Sequence, residues 1–228
     1  MTLNFLKSRI QMAGHAALAR IGYGFTNYRH PARTAALGRV QDARSLAYTA
    51  TTPLEGVEID SALRATQLIP GEMAEVGVYK GGTAALMLAA EPKKRLHLFD
   101  TFEGLPGGGD YLVKGEYAGS VGEVSRTLGA YSDRVVFHRG LFPQDTGHEV
   151  ADALFSFVHL DMDLYDGTLA AMRFFWPRLN NGGIVLCHDY PQIGGVVRAI
   201  DEFSRETPSG VFLPLSGQQC IAIKLTSE

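Results

Sequence analysis

Residues 72–83 read EMAEVGVYKGGT, an apolar run typical of a buried strand, followed by a glycine-containing turn and the start of a helical pattern. Gly77, Gly81 and Gly82 would let the backbone approach a bound ligand closely. Thr83 can cap the helix that follows, so that the N-terminal amides of this helix face a negatively charged group. Without further signals, the turn could equally be a plain connection between a strand and a helix.

Outside this motif, strand-like and helix-like segments alternate along most of the chain, which predicts βαβ units and a parallel sheet. The predicted strands cover residues 72–77, 96–100, 135–138, 155–160 and 183–188, and the predicted helices cover 83–90, 121–131 and 168–178. Two further strands, 211–215 and 219–225, are joined by Ser-Gly-Gln and predict a closing antiparallel hairpin. The expected fold is an α/β domain with a doubly wound, mostly parallel sheet.

The first 52 residues differ from the rest of the chain. They are rich in alanine and arginine, helical in pattern and interrupted by Gly22, Gly24 and Pro31. We expect an N-terminal helical extension over residues 1–52 and a main domain over residues 53–228. Apolar side chains recur at helical spacing between residues 3 and 21. This segment is expected to dock on its own domain or on a second subunit, with a helix lying on a membrane surface as the alternative.

The composition limits the possible partners. Lys and Arg number 21 against 24 Asp and Glu, a formal net charge of −3, so no cationic surface is available to hold a nucleic acid backbone. No apolar run approaches the roughly 20 residues of a membrane-spanning helix, and the N-terminus lacks the pattern of a signal peptide. Cys187 and Cys220 lie in apolar runs and are interpreted as reduced core residues. We expect a soluble cytoplasmic protein without stable membrane insertion and without a nucleic acid partner.

The ends of the first two predicted strands indicate a nucleoside-containing ligand. In open α/β sheets, ligands bind beyond the carboxyl ends of the strands. Glu75 and Gly77 end the first strand, and Asp100 ends the second, about 20 residues further on, where a carboxylate can accept hydrogen bonds from both hydroxyls of a ribose. The G-x-G-x-x-G pattern of NAD sites is missing from the turn. A cofactor without a pyrophosphate therefore fits better.

The next two strand ends are acidic as well. Residues 159–163 read HLDMD and residues 187–190 read CHDY. Because these strands are expected to be neighbours, Asp161 and Asp189 should meet in one crevice, where carboxylates can bind a hard divalent cation such as Mg²⁺. For Asp163 we favour the simpler interpretation, a cap of the following helix.

Five motifs in the same order resemble the macrocin and mycinamicin sugar O-methyltransferases, the TylF/MycF family. They are AEVGVYKGG (74–82), LFDTFEGLP (98–106), GLFPQDT (140–146), LDMDLY (160–165) and GGIVLCHDY (182–190). The resemblance covers residues 49–190 and implies a Rossmann-like class I methyltransferase fold for the main domain. Members of the family depend on S-adenosylmethionine and Mg²⁺ and methylate deoxysugar hydroxyls of natural products, so this activity and these cofactors are expected here.

The resemblance also implies roles for individual residues. Glu75 and Gly77 would lie along the methionine part of the cofactor, Asp100 would hold the ribose, and Asp145 would lie near the adenine. Thr51, in the segment YTATTP, is similar to a threonine with which the family contacts the cofactor. The remaining expected cofactor contacts are Tyr79, Gly81, Thr83, Thr101 and Phe102.

In the family pattern, the metal ligands are the first aspartate of the L-D-x-D motif and an Asp-Asp pair at the end of the later strand. The corresponding residues are Asp161, His188 and Asp189. His188 departs from the pattern, because an imidazole is a poorer ligand for Mg²⁺ than a carboxylate and suits Zn²⁺, Mn²⁺ or Fe²⁺ better. Either the metal differs, or His188 acts as a base. Asp161 or His188 is expected to take the proton of the acceptor hydroxyl.

Two other classes of protein stay open at this point. A nicotinamide-dependent oxidoreductase would share the fold and the ribose-binding aspartate but needs a pyrophosphate turn. A non-catalytic cofactor-binding protein would keep Glu75 and Asp100 but has no use for the acidic cluster. The acceptor also stays open among small molecules with adjacent oxygens, a sugar or glycoside being favoured. The long loop 103–120 is either a functional lid or a disordered stretch. The N-terminal extension is expected to pair subunits in a homo-oligomer and to cover the acceptor crevice.

Overall fold

The computed structural model describes residues 18, 26–109 and 111–225. Apart from Leu18, the helix predicted over residues 3–21 lies outside the described residues. The chain divides into two compact units, Met1–Thr34 and Ala35–Glu228, so residues 35–52 of the predicted extension belong to the second unit. The role of the extension in pairing subunits or covering the acceptor stays a prediction. No helix among the described residues is long and apolar enough to cross a membrane.

Six α-helices and seven strands make up the described elements. The helices are α1 (Pro31–Leu46), α2 (Pro53–Ala65), α3 (Gly82–Ala90), α4 (Val121–Thr127), α5 (Tyr165–Arg178) and α6 (Gly194–Glu206). The strands are β1 (Glu72–Val76), β2 (Leu96–Asp100), β3 (Val135–Arg139), β4 (Phe155–Leu160), β5 (Leu179–His188), β6 (Gly210–Pro214) and β7 (Gln219–Lys224). Short 3₁₀ helices cover Gly129–Arg134 and Gly147–Val150.

All seven strands form one sheet in the order β3-β2-β1-β4-β5-β7-β6. The first five strands are parallel, and β7 runs antiparallel to both β5 and β6. The predicted doubly wound sheet with a closing antiparallel hairpin is therefore confirmed. The strand order reverses between β1 and β4, which opens a crevice at the carboxyl ends of these two strands.

The central strands β1, β2 and β4 are buried almost throughout, as expected of parallel strands covered on both faces, whereas the outer strands β3 and β6 are partly exposed. Every residue of β4 is buried, and the rings of Phe99, Phe142, Phe155 and Phe175 pack together beneath the crevice, with centroids 4.6–6.1 Å apart in the contacting pairs. The helix α3 is apolar on all sides and almost wholly buried, as expected of a helix enclosed by its neighbours. This packing fixes the strand ends that carry the polar residues.

Element boundaries differ from the prediction by three or more residues at three places. The strand β5 begins at Leu179 instead of residue 183, because it follows α5 directly. A bulge in its pairing with β4, between Phe155 and Phe157, accommodates Gly182 and Gly183. The helix α5 begins at Tyr165, three residues before the prediction. The helix α4 ends at Thr127, and the predicted remainder continues as a 3₁₀ helix that starts at Gly129.

Candidate active site

A cavity of about 530 Å³ opens at the carboxyl ends of β1, β2, β4 and β5, where the strand order reverses. This volume lies within the range of roughly 300–1,000 Å³ that is usual for small-molecule sites. Residues 104–109 and Tyr117 of the long loop line the cavity. The described part of the loop 103–120 is thus a wall of the cavity, which favours the functional interpretation of this loop.

Close packing of two strand ends requires the glycine at position 77. Gly77 has a φ of +86°, and a Cβ atom there would lie 1.8 Å from the carbonyl oxygen of Asp161. The Gly77 N–H donates to the Phe99 carbonyl (3.0 Å), and the Asp161 N–H donates to the Val76 carbonyl (2.9 Å). The glycine turn and the acidic strand end therefore share one backbone junction. Gly81, with a φ of +80°, is the N-cap of α3 and does not line the cavity.

Asp100 organises the glycine turn from within the cavity. Its Oδ2 atom accepts hydrogen bonds from the N–H groups of Val78 (2.7 Å) and Tyr79 (3.1 Å), and its Oδ1 atom accepts one from Phe102 N–H (2.7 Å). Tyr79 and Phe102 have positive φ angles of 50° and 58°, which these bonds help to hold. A carboxylate offers about four acceptor sites, so Asp100 keeps at least one for a ribose hydroxyl.

The structure brings five of the predicted cofactor residues to the cavity wall: Gly77, Tyr79, Thr83, Asp100 and Thr101. The other five do not line it: Thr51, Glu75, Gly81, Phe102 and Asp145. Direct contact of these five with a cofactor stays a prediction. All three residues of the predicted metal site, Asp161, His188 and Asp189, line the cavity.

Glu75 lies beneath the cavity floor rather than in its wall. Its side chain is 1% exposed, and Oε1 lies 3.1 Å from Nδ1 of the fully buried His159. Burial, reinforced by the charge of Asp100, raises the pKa of Glu75 well above its usual value. Burial lowers the pKa of His159 to about 4. The two side chains therefore form a neutral hydrogen-bonded pair that supports the strand ends.

Thr51 links the segment before α2 to the start of α3 by a hydrogen bond between side chains. Its hydroxyl lies 3.2 Å from the hydroxyl of Thr83, which is also 3.4 Å from that of Thr49. Thr49 lines the cavity together with Tyr48 and Ala50, whereas Thr51 does not. The segment that the sequence indicated does reach the site, through neighbours of the predicted residue.

Asp145 shapes the turn after β3. It is exposed, and its carboxylate accepts a hydrogen bond from Leu141 N–H (2.9 Å). Leu141, Phe142 and Gln144 of the same turn line the cavity. They give this part of the wall an apolar surface and one amide, groups suited to an aromatic base.

The acidic strand ends meet as the sequence predicted. One ligand atom each of Asp161, His188 and Asp189 lies within 4.8 Å of the other two. Nδ1 of His188 is 3.1 Å from Oδ1 of Asp189 and 3.5 Å from Oδ1 of Asp161. Among the described residues, neither ring nitrogen of His188 has a hydrogen-bond partner of good geometry.

Electrostatic strain marks this cluster. Burial raises the pKa of Asp161 to about 6; the charge of His188 lowers this pKa and the charge of Asp189 raises it. Burial and the charge of Asp161 raise the pKa of Asp163 to about 8. Burial disfavours the charged form of His188, but the nearby carboxylates, Asp161 foremost, outweigh it and raise its pKa to about 11. The carboxylates crowd so closely that a proton or a cation must offset their charge.

Residues 26–215 match the family model of the macrocin-O-methyltransferases (TylF). The chain belongs to the macrocin-O-methyltransferase (TylF) family. The resemblance that the five motifs predicted is thereby confirmed. Membership of the TylF family also decides against the nicotinamide-dependent oxidoreductase.

Individual relatives of the TylF-family chain are O-methyltransferases. This chain is 30% identical over 141 residues to the 8-demethyl-8-(2,3-dimethoxy-alpha-L-rhamnosyl)-tetracenomycin-C 4'-O-methyltransferase of Streptomyces olivaceus. The match covers 54% of each chain. The chain spans just over half the length of the curated relatives it matches.

Solved structures show the same fold. The O-methyltransferase NovP superposes with a TM-score of 0.65 at 22% identity, covering 78% of this chain and 84% of NovP. An O-methyltransferase from Bacillus cereus, solved in complex with S-adenosylhomocysteine (SAH), gives a TM-score of 0.55 at 13% identity over 95% and 99% of the two chains. The expected Rossmann-like class I methyltransferase fold is therefore confirmed.

Four residues of this TylF-family site have roles that the sequence did not indicate. Asp163 is not the helix cap that we expected: Leu164 is the N-cap of α5, and Asp163 lines the cavity with a φ of +61°. Tyr117 and Arg198 also line the cavity. Glu55 is 3% exposed and lies behind His188. The segment Thr-Pro-Leu-Glu from Thr52 is typical of a helix start and could have indicated α2, but no local signal could indicate a partner of Glu55 so distant in sequence.

Proposed function

We propose that this protein is an S-adenosylmethionine-dependent O-methyltransferase that acts on a hydroxyl of a sugar or another small natural product, assisted by a divalent cation. One observation carries the proposal. The cavity has the glycine turn and Asp100 on one side and the cluster of Asp161, His188 and Asp189 on the other, joined at Gly77. The proposed cofactor site and the proposed acceptor site therefore face the same space.

The first half of the cavity suits S-adenosylmethionine. Asp100 would accept hydrogen bonds from the ribose, and the N-terminal amides of α3 beside Thr83 would face the methionine carboxylate. The apolar turn of Leu141 and Phe142, with the Gln144 amide, would enclose the adenine. When bound, the cofactor supplies an electrophilic methyl group on a sulfonium. The chain's contribution is to hold it in line with the acceptor oxygen.

The second half suits a divalent cation. Two carboxylates and one imidazole present their ligand atoms within 4.8 Å, and the buried ring nitrogens of His188 lack hydrogen bonds of good geometry among the described residues. This donor set fits such an ion, which Asp161, His188 and Asp189 would hold. When bound, the ion would lower the pKa of an acceptor hydroxyl.

Asp161 would accept the proton of the acceptor hydroxyl. The pKa of Asp161 is about 6, so most Asp161 carboxylates are ionised near neutral pH, and the carboxylate oxygen that does not bind the cation could accept a proton. Before a cation binds, the pKa of His188 is about 11, so its ring already carries the proton that a base would need to take up. A bound cation would displace that proton, because a metal-bound imidazole is neutral. Of the two candidate bases, Asp161 is therefore the better one.

A sugar hydroxyl is the acceptor we favour. A relative that this chain resembles methylates the 4'-oxygen of a sugar-bearing tetracenomycin, according to its name. The cavity wall here carries Tyr79 and Tyr117, whose rings meet edge to face with centroids 5.7 Å apart. Such aromatic faces can pack against the apolar face of a sugar ring while their hydroxyls reach its polar edge.

A turnover assay tests the proposal. The protein is incubated with S-adenosylmethionine and a panel of glycosylated natural products, and the products are examined by mass spectrometry for the gain of one methyl group. We expect methylation on a sugar oxygen. Asp161→Asn should abolish it while calorimetric binding of SAH persists. Failure to bind SAH would overturn the proposal, and binding without turnover on any acceptor would favour a non-catalytic cofactor-binding protein.

A further inference from the structure

We propose that Glu55 is a positioning residue for His188, and that the two together make the site select a divalent transition-metal ion over Mg²⁺. The inference rests on the proposed metal-assisted function. It concerns a carboxylate on α2, a helix that contributes no residue to the cluster of Asp161, His188 and Asp189. Glu55 is outside the cavity wall and acts through the ring of His188.

Two hydrogen bonds fix the Glu55 carboxylate close to His188. Its Oε2 accepts a hydrogen bond from Thr52 N–H (2.7 Å), which closes the capping box at the start of α2, and its Oε1 accepts one from Gln218 N–H (3.0 Å) in the β6–β7 turn. Oε2 also lies 3.6 Å from Nε2 of His188. The side chain is 3% exposed, so this carboxylate has little freedom to turn elsewhere.

His188 stands between carboxylates on both of its ring nitrogens. Nε2 faces Glu55, and Nδ1 faces Asp161 and Asp189. The ring is more than nine-tenths buried. A carboxylate behind the distal nitrogen of a histidine is the usual support of a metal-binding imidazole, because it fixes the ring orientation and the position of the N–H. Glu55 would thus hold the proton on Nε2 and leave Nδ1 as the donor atom that faces the cluster.

The spacing around Nδ1 fits a common metal ion. Two ligands about 2.1 Å from one ion, at roughly 90° to 115° to each other, lie about 3.0–3.5 Å apart. Nδ1 of His188 is 3.1 Å from Oδ1 of Asp189 and 3.5 Å from Oδ1 of Asp161. Mg²⁺ prefers oxygen ligands, whereas imidazole nitrogen favours ions such as Co²⁺, Fe²⁺ or Zn²⁺. A nitrogen fixed at this place therefore shifts the preference toward the transition metals.

Glu58 provides a matched control. It lies one turn further along α2 and accepts hydrogen bonds from Ser216 N–H (3.1 Å) and Gly217 N–H (3.3 Å) of the same β6–β7 turn. Among the described residues, Glu58 forms no hydrogen bond or ion pair with His188, in contrast to the approach of Glu55. Glu58→Gln therefore reports what loosening the hairpin does, and Glu55→Gln adds the loss of the support behind His188.

The test measures binding of Co²⁺ alone and of Mg²⁺ alone by calorimetry to the full chain and to His188→Asp, Glu55→Gln and Glu58→Gln. Proton NMR of the Co²⁺-loaded protein is recorded alongside, since the N–H of a cobalt-bound imidazole gives a strongly shifted, exchangeable signal. We expect His188→Asp to lower the preference for Co²⁺ over Mg²⁺ at least about tenfold and to remove that signal. Glu55→Gln should weaken Co²⁺ binding by about tenfold to a hundredfold, and Glu58→Gln by less than about threefold.

Equal metal preference in the wild type and His188→Asp would overturn the inference, as would equal losses in Glu55→Gln and Glu58→Gln. Should Glu55→Gln not fold, the wild-type NMR spectrum decides: a slowly exchanging N–H signal supports the role of Glu55, and its absence or rapid exchange contradicts it. Methyl transfer that persists in a metal chelator would refute this inference and the proposed metal assistance, and would leave the proposed methyltransferase activity standing. A protein that binds no SAH would fail the proposed function itself.

Discussion

The substitution Gly77→Ala perturbs the junction between the two halves of the cavity. The added Cβ would lie 1.8 Å from the carbonyl oxygen of Asp161, whereas real Cβ atoms essentially never come closer than 3.0 Å. The strand end must then retreat by about 1.2 Å, the difference between these distances. Such a shift breaks the 2.9 Å hydrogen bond from Asp161 N–H to the Val76 carbonyl.

Two costs add up at this position. A residue with a Cβ in the left-handed region costs about 1–2 kcal/mol, which applies because φ is +86°. A buried backbone pair left without its hydrogen bond costs about 1–3 kcal/mol more. We therefore expect Gly77→Ala to lower the free energy of unfolding by about 2–5 kcal/mol, a large part of the stability of an ordinary domain.

Two other glycines separate these costs in urea unfolding followed by circular dichroism. Gly115 has a φ of +90° with nothing within 4 Å of the Cβ that alanine would add, so Gly115→Ala should cost only the backbone part, about 1–2 kcal/mol. Gly122 lies in α4 with open space around it, so Gly122→Ala should be neutral or stabilising by up to about 1 kcal/mol. If Gly77→Ala destabilises no more than Gly115→Ala, the proposed junction between the cofactor turn and Asp161 is wrong.

Three further predictions concern the cavity. Asp100→Asn places an amide donor against backbone donors such as Tyr79 N–H, so calorimetry should show SAH binding weakened at least about tenfold; unchanged affinity would remove Asp100 from the site. The pKa of Glu75 is raised on folding, so its stabilising contribution is complete below pH 4.5 and is lost as the pH rises above that value. Glu75→Gln should make the free energy of unfolding depend less on pH in this range. An unaltered dependence would show that folding does not shift the pKa of Glu75. Arg198→Ala should raise the KM for the acceptor without changing the SAH affinity, because Arg198 lies at the cavity wall beside Tyr165; equal effects on both ligands would contradict this assignment.

The sequence predicted the parts of the site that depend on strand order. Alternating strands and helices imply a parallel sheet, and its strands end on one edge, so Asp100, Asp161 and Asp189 could be assigned to a common crevice. The structure confirms the sheet and places all three in one cavity. These three residues come together because of the topology of the sheet, and the alternation of strands and helices along the sequence predicts this topology.

Depth and distant contacts could not be predicted in the same way. A strand pattern tells which face a side chain takes but not whether a neighbour covers it, and Glu75 lies under the cavity because His159 of β4 pairs with it. Glu55 meets Gln218 across 163 positions of the chain, a contact set by where the C-terminal hairpin folds back. The expected cap at Asp163 was wrong because α5 begins at Tyr165, with Leu164 as its N-cap.

A crystal structure of the protein grown with SAH and Mn²⁺, phased to locate the manganese by its anomalous signal, tests the central claim most directly. We predict SAH across the glycine turn with its ribose on Asp100, and the manganese peak bound by Asp161, His188 and Asp189 in the same cavity. SAH in that position with the manganese bound at another site on the surface would contradict the shared cavity on which the proposed reaction depends.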